Sequence, residues 1–403
     1  MHTRAIQRVL LCVGLCVLAP ISAWSQPTDV GDTVVLRSEV LDQMRTIYVS
    51  LPASYHQSSR SYPVLYLLDA NWHFPVVVSQ ARYLSACDAS DVIVPEMIVV
   101  GIENIDRDHD FTPTNVPEYK GMSFPTSGGA PEFLQFVEQE LIPLIDDTYR
   151  TVDHRALAGW SFGGLFTVYT MLEAPELFSA YIGISPSIWW EDDALVEKPF
   201  SHSLERPIRF AMTIGADEEG GMNYTAASDF AERFRRAPVD GLEVTFLEIE
   251  GAGHNQSLPL AYYRSIRALY SDWLAPDEVV ESGRESVDSY YRELSKNYGY
   301  AVPIPEQVLT RLAIARLSEK DYRGAAAGFE EASRLYPESS RARYLLARTK
   351  HKAGELESAR LEYLAAIDLE ARQNPPDGLS LRHDRSRLAE AEAEIATEPV
   401  TES

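Results

Sequence analysis

The sequence predicts an α/β domain with a mainly parallel sheet of about eight strands, followed by an all-α region. Two patterns predict it. From Thr33 to about Pro276, short β-rich runs alternate with helix-length stretches. The central runs (VLYLL, MIVVGI, AMTIG) are apolar almost without interruption, as expected of strands covered on both faces. From Pro305 onward strand-like runs vanish, Ala, Glu, Leu and Arg dominate, and a period of 34 residues emerges. A chain of 403 residues is long enough to hold both units.

Residues 1–25 carry Arg4 and Arg8 ahead of the apolar run Val9–Ala19. Then come Pro20 and the small residues Ala23 and Ser25 before a cut at Gln26. This three-part order predicts a secretory signal peptide, and so a periplasmic or secreted protein with no stable membrane anchor once it is cut. The apolar run is short for a bilayer span. Removal would take Cys12 and Cys16 and leave only Cys87, so no internal disulfide is expected. The α/β unit is expected over residues 26–280, a helical repeat region over 281–397 and a tail over 398–403.

Strands are expected at Thr33–Leu36, Arg45–Leu51, Tyr62–Leu68, Met97–Ile102, Ala156–Gly159, Tyr181–Ser185, Arg209–Gly215 and Leu242–Glu248. The first two form an antiparallel hairpin. Helices are expected at Pro131–Asp147, Phe162–Leu172, Tyr224–Arg235 and Ser257–Trp273. In the C-terminal third, Ala313, Ala325, Phe329 and Ala332 recur 34 positions later as Ala347, Ala359, Tyr363 and Ala366. Small residues at these positions let two helices approach closely, while Phe329 and Tyr363 fill the space between them. The pattern resembles two tetratricopeptide repeats over residues 306–373. Two copies are too few to stand alone, which predicts flanking helices near Ser286–Lys296 and Leu379–Ile395.

The formal charge of −24 disfavours nucleic acid or an anionic membrane as partner. The nine His are scattered without ligand spacing, so no metal and no other cofactor is expected.

The stretch ALAGWSFGGLF (Ala156–Phe166) sets Ser161 between a strand and a helix candidate. A sharp turn there lifts the hydroxyl above the sheet. The Phe162 N–H, at a helix N-terminus, then faces developing negative charge. A serine hydroxyl needs a base to take its proton. His254, in the turn after the last strand candidate, is the choice, since such a serine takes its partners in the chain order Ser, acid, His. The strand ending at Gly215 runs into Asp217, Glu218 and Glu219, of which one carboxylate is wanted. A second oxyanion donor is expected from the loop Leu67–Phe74, at the backbone N–H of Ala70 or Asn71.

With these residues together, the region from Thr33 to Pro276 resembles the esterase D-type branch of the α/β-hydrolases. More narrowly it is similar to bacterial esterases acting on enterobactin-like siderophores. The resemblance rests on YPVLYLLD (Tyr62–Asp69), RDHDFTP (Arg107–Pro113), the serine turn, SPSIWW (Ser185–Trp190) and GAGH (Gly251–His254). It departs at Asp69-Ala70, where many relatives carry His-Gly. The resemblance implies an α/β-hydrolase fold and a carboxylic ester hydrolase using Ser161 and His254, on a small-molecule ester such as a siderophore lactone or aryl ester. It implies Glu218 as the acid, three residues beyond the strand-ending glycine, with Asp217 as the alternative. Arg107 could pair with an anionic substrate group or brace its own loop. Trp189 and Trp190 could wall an aryl or acyl group or pack in the core. Two rivals remain at this level: an acyltransferase sharing the acyl-enzyme, and a non-catalytic scaffold whose repeats bind a protein partner.

Overall fold

The computed structural model describes residues 30–86, 92–372 and 378–397. The expected signal peptide, the tail over 398–403 and all three cysteines lie outside them. Eight strands form one sheet: β1 (Asp32–Ser38), β2 (Gln43–Ser50), β3 (Tyr62–Leu67), β4 (Ile98–Ile102), and, beyond a small two-stranded hairpin, β5 (Glu118–Tyr119) with β6 (Met122–Ser123), the strands β7 (Thr151–Trp160), β8 (Ala180–Ile184), β9 (Ile208–Gly215) and β10 (Leu242–Ile249). Their spatial order is β1-β2-β4-β3-β7-β8-β9-β10. Within this sheet the β1–β2 and β2–β4 pairs are antiparallel and the remaining pairs are parallel. Every residue of β3, β4 and β8 is buried, which accounts for their unbroken apolar composition.

Each face of the sheet carries its own core. One side packs Phe133, Phe136, Leu165, Phe166 and Phe230. The other packs Phe74, Val77, Tyr262 and Ile266. The helix expected over Pro131–Asp147 is interrupted: Ala130–Phe136 and Ile142–Thr148 flank a wider π-turn over Val137–Leu141. Pro143 supplies the reason, since it has no N–H for the regular ladder. Leu67–Phe74, expected as a loop, instead enters the helix Ala70–Ala86 directly.

Four helices form the two repeats: Glu306–Ser318, Tyr322–Leu335, Ser340–Lys352 and Leu356–Ala371. All eight of the recurring Ala and aromatic positions are buried. The flanking helices are present at Arg284–Tyr298 and Gly378–Thr397. The first of them belongs to the α/β core in packing terms. Its Val287, Tyr291, Leu294 and Tyr298 share a cluster with Ala156 and Ile182 of the sheet. The core of the α/β unit therefore continues past residue 280.

Candidate active site

β7 ends at Trp160 and the helix Phe162–Glu173 begins two residues later, so Ser161 must reverse the chain by itself. It does so at φ 56°, ψ −114°, a conformation L-residues adopt only when their surroundings impose it. Three hydrogen bonds impose it: Ser161 N–H donates to Ile184 O (2.9 Å), and Ser161 O accepts from Ser187 N (3.0 Å) and Leu165 N (2.9 Å). Gly159 makes the turn possible, because a Cβ there would sit 2.1 Å from Gly163 O. Gly163 lies against Asp69, 2.9 Å from its Oδ2 by the same construction of a Cβ. These glycines therefore clear the helix and the neighbouring turn more than the adjacent strands.

His254 follows β10 in a turn ahead of the helix Leu258–Leu269. Its ring packs against Trp160 with centroids 5.0 Å apart, and Trp160 Nε1 donates to His254 O. Nδ1 lies 2.8 Å from Glu218 Oε2. The same oxygen accepts from Asn223 Nδ2 at 3.2 Å, which brings that amide within 3.1 Å of Nδ1. Two donors sharing one carboxylate oxygen explain the close approach and put the proton on Nδ1, leaving Nε2 as the acceptor. Glu218 Oε1 accepts from Ser185 Oγ (2.6 Å) and Gly215 N–H (3.2 Å). Burial pushes the Glu218 carboxyl upward, but the bonds from His254, Ser185 and Asn223 more than offset it and hold it below the usual carboxylate range. Asp217 and Glu219 stay exposed on either side. Of the three carboxylates the sequence left open, Glu218 is the one on the imidazole.

Ser161 and His254 line the same cavity of about 500 Å³, together with Met122, Phe124, Phe162, Trp189 and Asn223. Among the described residues, Ser161 Oγ pairs with Ser187 Oγ at 3.2 Å. Catalytic hydrogen bonds are often long or poorly aligned until substrate binds.

The remaining expected residues divide. Phe162 opens its helix, so its N–H has no partner carbonyl within that helix. Ala70 and Asn71 form the first turn of a helix rather than a loop, because Asp69 at φ 56° turns the chain directly into it. Ala70 is packed against Gly101, and neither residue is among those lining the cavity. Arg107 does not reach the cavity either. Its Nε and Nη2 bind Asp69 at 2.8 and 3.2 Å, and Nη2 also donates to Trp160 O at 2.8 Å. Its partner is thus Asp69 under the serine turn and not the Asp108–Pro113 loop. Trp189 lines the cavity, with Nε1 donating to Asn223 Oδ1. Trp190 is core, packed edge-on against Phe124 and Phe162. Asn223, Ser185 and Ser187 were missed. The two serines sit within the SPSIWW motif, whereas Asn223 left no signal because its role depends on a helix start meeting a distant turn.

Two family models match the chain: "Putative esterase" over residues 38–240 and a tetratricopeptide repeat over 316–382. The first covers half the chain. It belongs to this esterase family. The family match includes Ser161 and Glu218 and ends before His254. The esterase is 32% identical over 247 residues to the ferri-bacillibactin esterase BesA of Bacillus subtilis, spanning 56% of this chain and 85% of that one. It is 29% identical over 137 residues to a siderophore triacetylfusarinine C esterase of Aspergillus fumigatus, spanning 32% and 45%. Among solved structures it is similar to an IroE-like serine hydrolase from Shewanella oneidensis (TM-score 0.66, 26% identity, 76% of this chain and 99% of that one). An uncharacterised Capnocytophaga ochracea protein, at 20% identity and TM-score 0.57, shares the fold over 90% of this chain, well into the repeats. This esterase is thus a carboxylic ester hydrolase of the serine hydrolase type with a C-terminal repeat region. Among the described residues no helix is long and apolar enough to cross a membrane, and no group of three or more His, Cys, Asp or Glu could hold a metal ion.

Proposed function

We propose that Ser161, His254 and Glu218 carry out the hydrolysis, on a siderophore-type lactone or aryl ester. The observation that carries the reading is that a serine held at φ 56° and an imidazole buttressed by Glu218 line one cavity. Ser161 Oγ attacks the ester carbonyl as His254 Nε2 takes its proton. Phe162 N–H, on a residue lining the cavity, is the oxyanion donor of this reading. His254 then protonates the departing alkoxide. Water, deprotonated by the same nitrogen, releases the acid from the acyl-enzyme. Glu218 keeps the tautomer and stabilises the imidazolium.

The names of the siderophore esterase relatives and the aromatic cavity wall support the substrate class. The leader-like order of residues 1–25 supports export to the periplasm or medium. The repeats support a protein partner for the C-terminal region. Hydrolysis of p-nitrophenyl butanoate by wild type and Ser161→Ala tests the core of the proposal: equal rates would remove Ser161 from the chemistry. Transfer products outweighing free acid when alcohols are added would make the protein an acyltransferase instead.

A further inference from the structure

We infer that the cavity sorts esters by charge: it takes acyl groups that are cationic or uncharged and turns away anionic ones. This rests on Ser161 as nucleophile, and it names the substrate class of that same site. The residues lining the cavity include Asp217, Glu218 and Glu219 and no lysine or arginine. Glu218 is committed to His254, Ser185 and Asn223. Asp217 and Glu219 are exposed, and among the described residues neither has an ion-pair partner, so their charges act on whatever enters.

Two cations on neighbouring elements, Arg107 and Lys120, are engaged elsewhere. Arg107 is held by Asp69 and Trp160 O beneath the serine turn. Lys120, at the tip of the β5–β6 hairpin whose Met122 lines the cavity, sits 4.0 Å from Asp192 and over the Tyr119 ring. What the cavity offers besides carboxylates is aromatic: Phe124, Phe162 and Trp189, the last stacked on Tyr119 with centroids 5.6 Å apart. Ring faces attract cations and accept neutral aryl or alkyl surface. The whole-chain charge of −24 adds repulsion at longer range. A ferric tris-catecholate, a multiply charged anion, meets repulsion from every charged group lining this cavity. A metal-free lactone or an ester with a quaternary ammonium group does not.

The test compares p-nitrophenyl esters with one leaving group and acyl chains of matched length: hexanoate, hemiadipate and 6-(trimethylammonio)hexanoate. In wild type at low salt, kcat/KM for the cationic ester is expected to exceed that for the anionic ester by on the order of thirty-fold, with hexanoate between. The ratio should shrink toward one at about 0.5 M salt. In the Asp217→Asn/Glu219→Gln double variant it should fall to within about three-fold of one at low salt. A wild-type ratio of one or below at low salt overturns the inference, as does a ratio the double variant leaves intact. A neutral fluorophosphonate probe separates this from failure of the underlying reading. If no ester turns over and Ser161 resists the probe, the nucleophile assignment fails and the charge inference falls with it. If Ser161 is labelled, the relative labelling rates of cationic and anionic phosphonates report the same preference.

Discussion

Glu218 Oε2 lies 2.8 Å from His254 Nδ1, while its neighbours Asp217 and Glu219 face the cavity without touching the ring. A carboxylate at Nδ1 fixes the tautomer that leaves Nε2 free to accept a proton, and it stabilises the imidazolium that forms. Glu218→Gln should lower kcat on a neutral ester by roughly 10²- to 10⁴-fold with KM little changed. Asp217→Asn on the same ester should cost less than about ten-fold. Steady-state kinetics of the two variants decides between the carboxylates, and a larger loss from Asp217→Asn would reassign the acid.

Ser185 gives Glu218 a pH-dependent place in stability. The folded carboxyl titrates below its unfolded value: burial alone would raise it, but the hydrogen bonds from His254, Ser185 and Asn223 prevail. A depressed carboxyl contributes stability that is fully present above the unfolded-state pKa of about 4.3 and is lost as pH falls through the lower folded value. Ser185→Ala removes the 2.6 Å bond to Oε1. It should destabilise the protein by about 1–2 kcal/mol at neutral pH. The deficit should narrow as the solution is acidified below about pH 4. Urea unfolding at several pH values measures this, and a deficit independent of pH would show that the bond is not linked to the charge.

The central strands were legible because burial on both faces writes itself as continuous apolar runs, and the repeats because each buried Ala or aromatic returns after 34 residues. Ser161 and His254 were legible because their positions depend on local turns at strand ends. What escaped depends on tertiary meetings. The helix from Ala70 carries Pro75 in its early turns and so lacks a clean periodic signal, which hid the fact that Ala70 and Asn71 are helical. Arg107 looked available because its partner, Asp69, is 38 residues away on another element. Choosing among Asp217, Glu218 and Glu219 needed the direction of one short turn. No spacing rule reaches Asn223, whose amide matters only because its helix starts beside that turn.

The serine turn depends on Gly159 more than on any other glycine in the GWSFGG stretch. A methyl group there meets the Gly163 carbonyl at 2.1 Å, backbone against backbone, with no flexible side chain to yield. Gly159→Ala must therefore push the helix Phe162–Glu173 away from β7, taking Ser161 and the Phe162 N–H with it. Turnover of neutral esters is expected to fall by at least about 10³-fold, comparable with loss of the nucleophile's positioning. Stability is expected to drop by about 2–4 kcal/mol, as for other overpacked or strained backbone sites. Circular dichroism melts and fluorophosphonate labelling separate the two effects, and a stable, fully labelled variant would show that the turn tolerates a side chain.

Arg60 ties the repeats to the sheet. Its guanidinium binds Glu96 (2.9 Å) and Ser54 (2.8 Å) on the α/β side. On the repeat side it binds Glu338 and the Leu335 carbonyl, and it lies over the Tyr336 ring at 4.7 Å. Tyr336 in turn donates to Ile304 O, closing the first repeat on its linker. Burial raises the Glu338 carboxyl and Arg60 opposes that shift, so the cation compensates two carboxylates that are largely withdrawn from water. Arg60→Ala leaves Glu96 and Glu338 facing each other, which should cost about 2–3 kcal/mol near neutral pH. Arg60→Lys should recover little, because a single ammonium cannot span the carboxylates, the carbonyl and the ring at once. The visible consequence is loss of cooperativity: one thermal transition in wild type, two in Arg60→Ala, with proteolysis beginning in the 299–305 segment that carries Ile304. A single unshifted transition in the variant would mean that the helix Arg284–Tyr298, through its own core contacts, couples the two regions without the arginine.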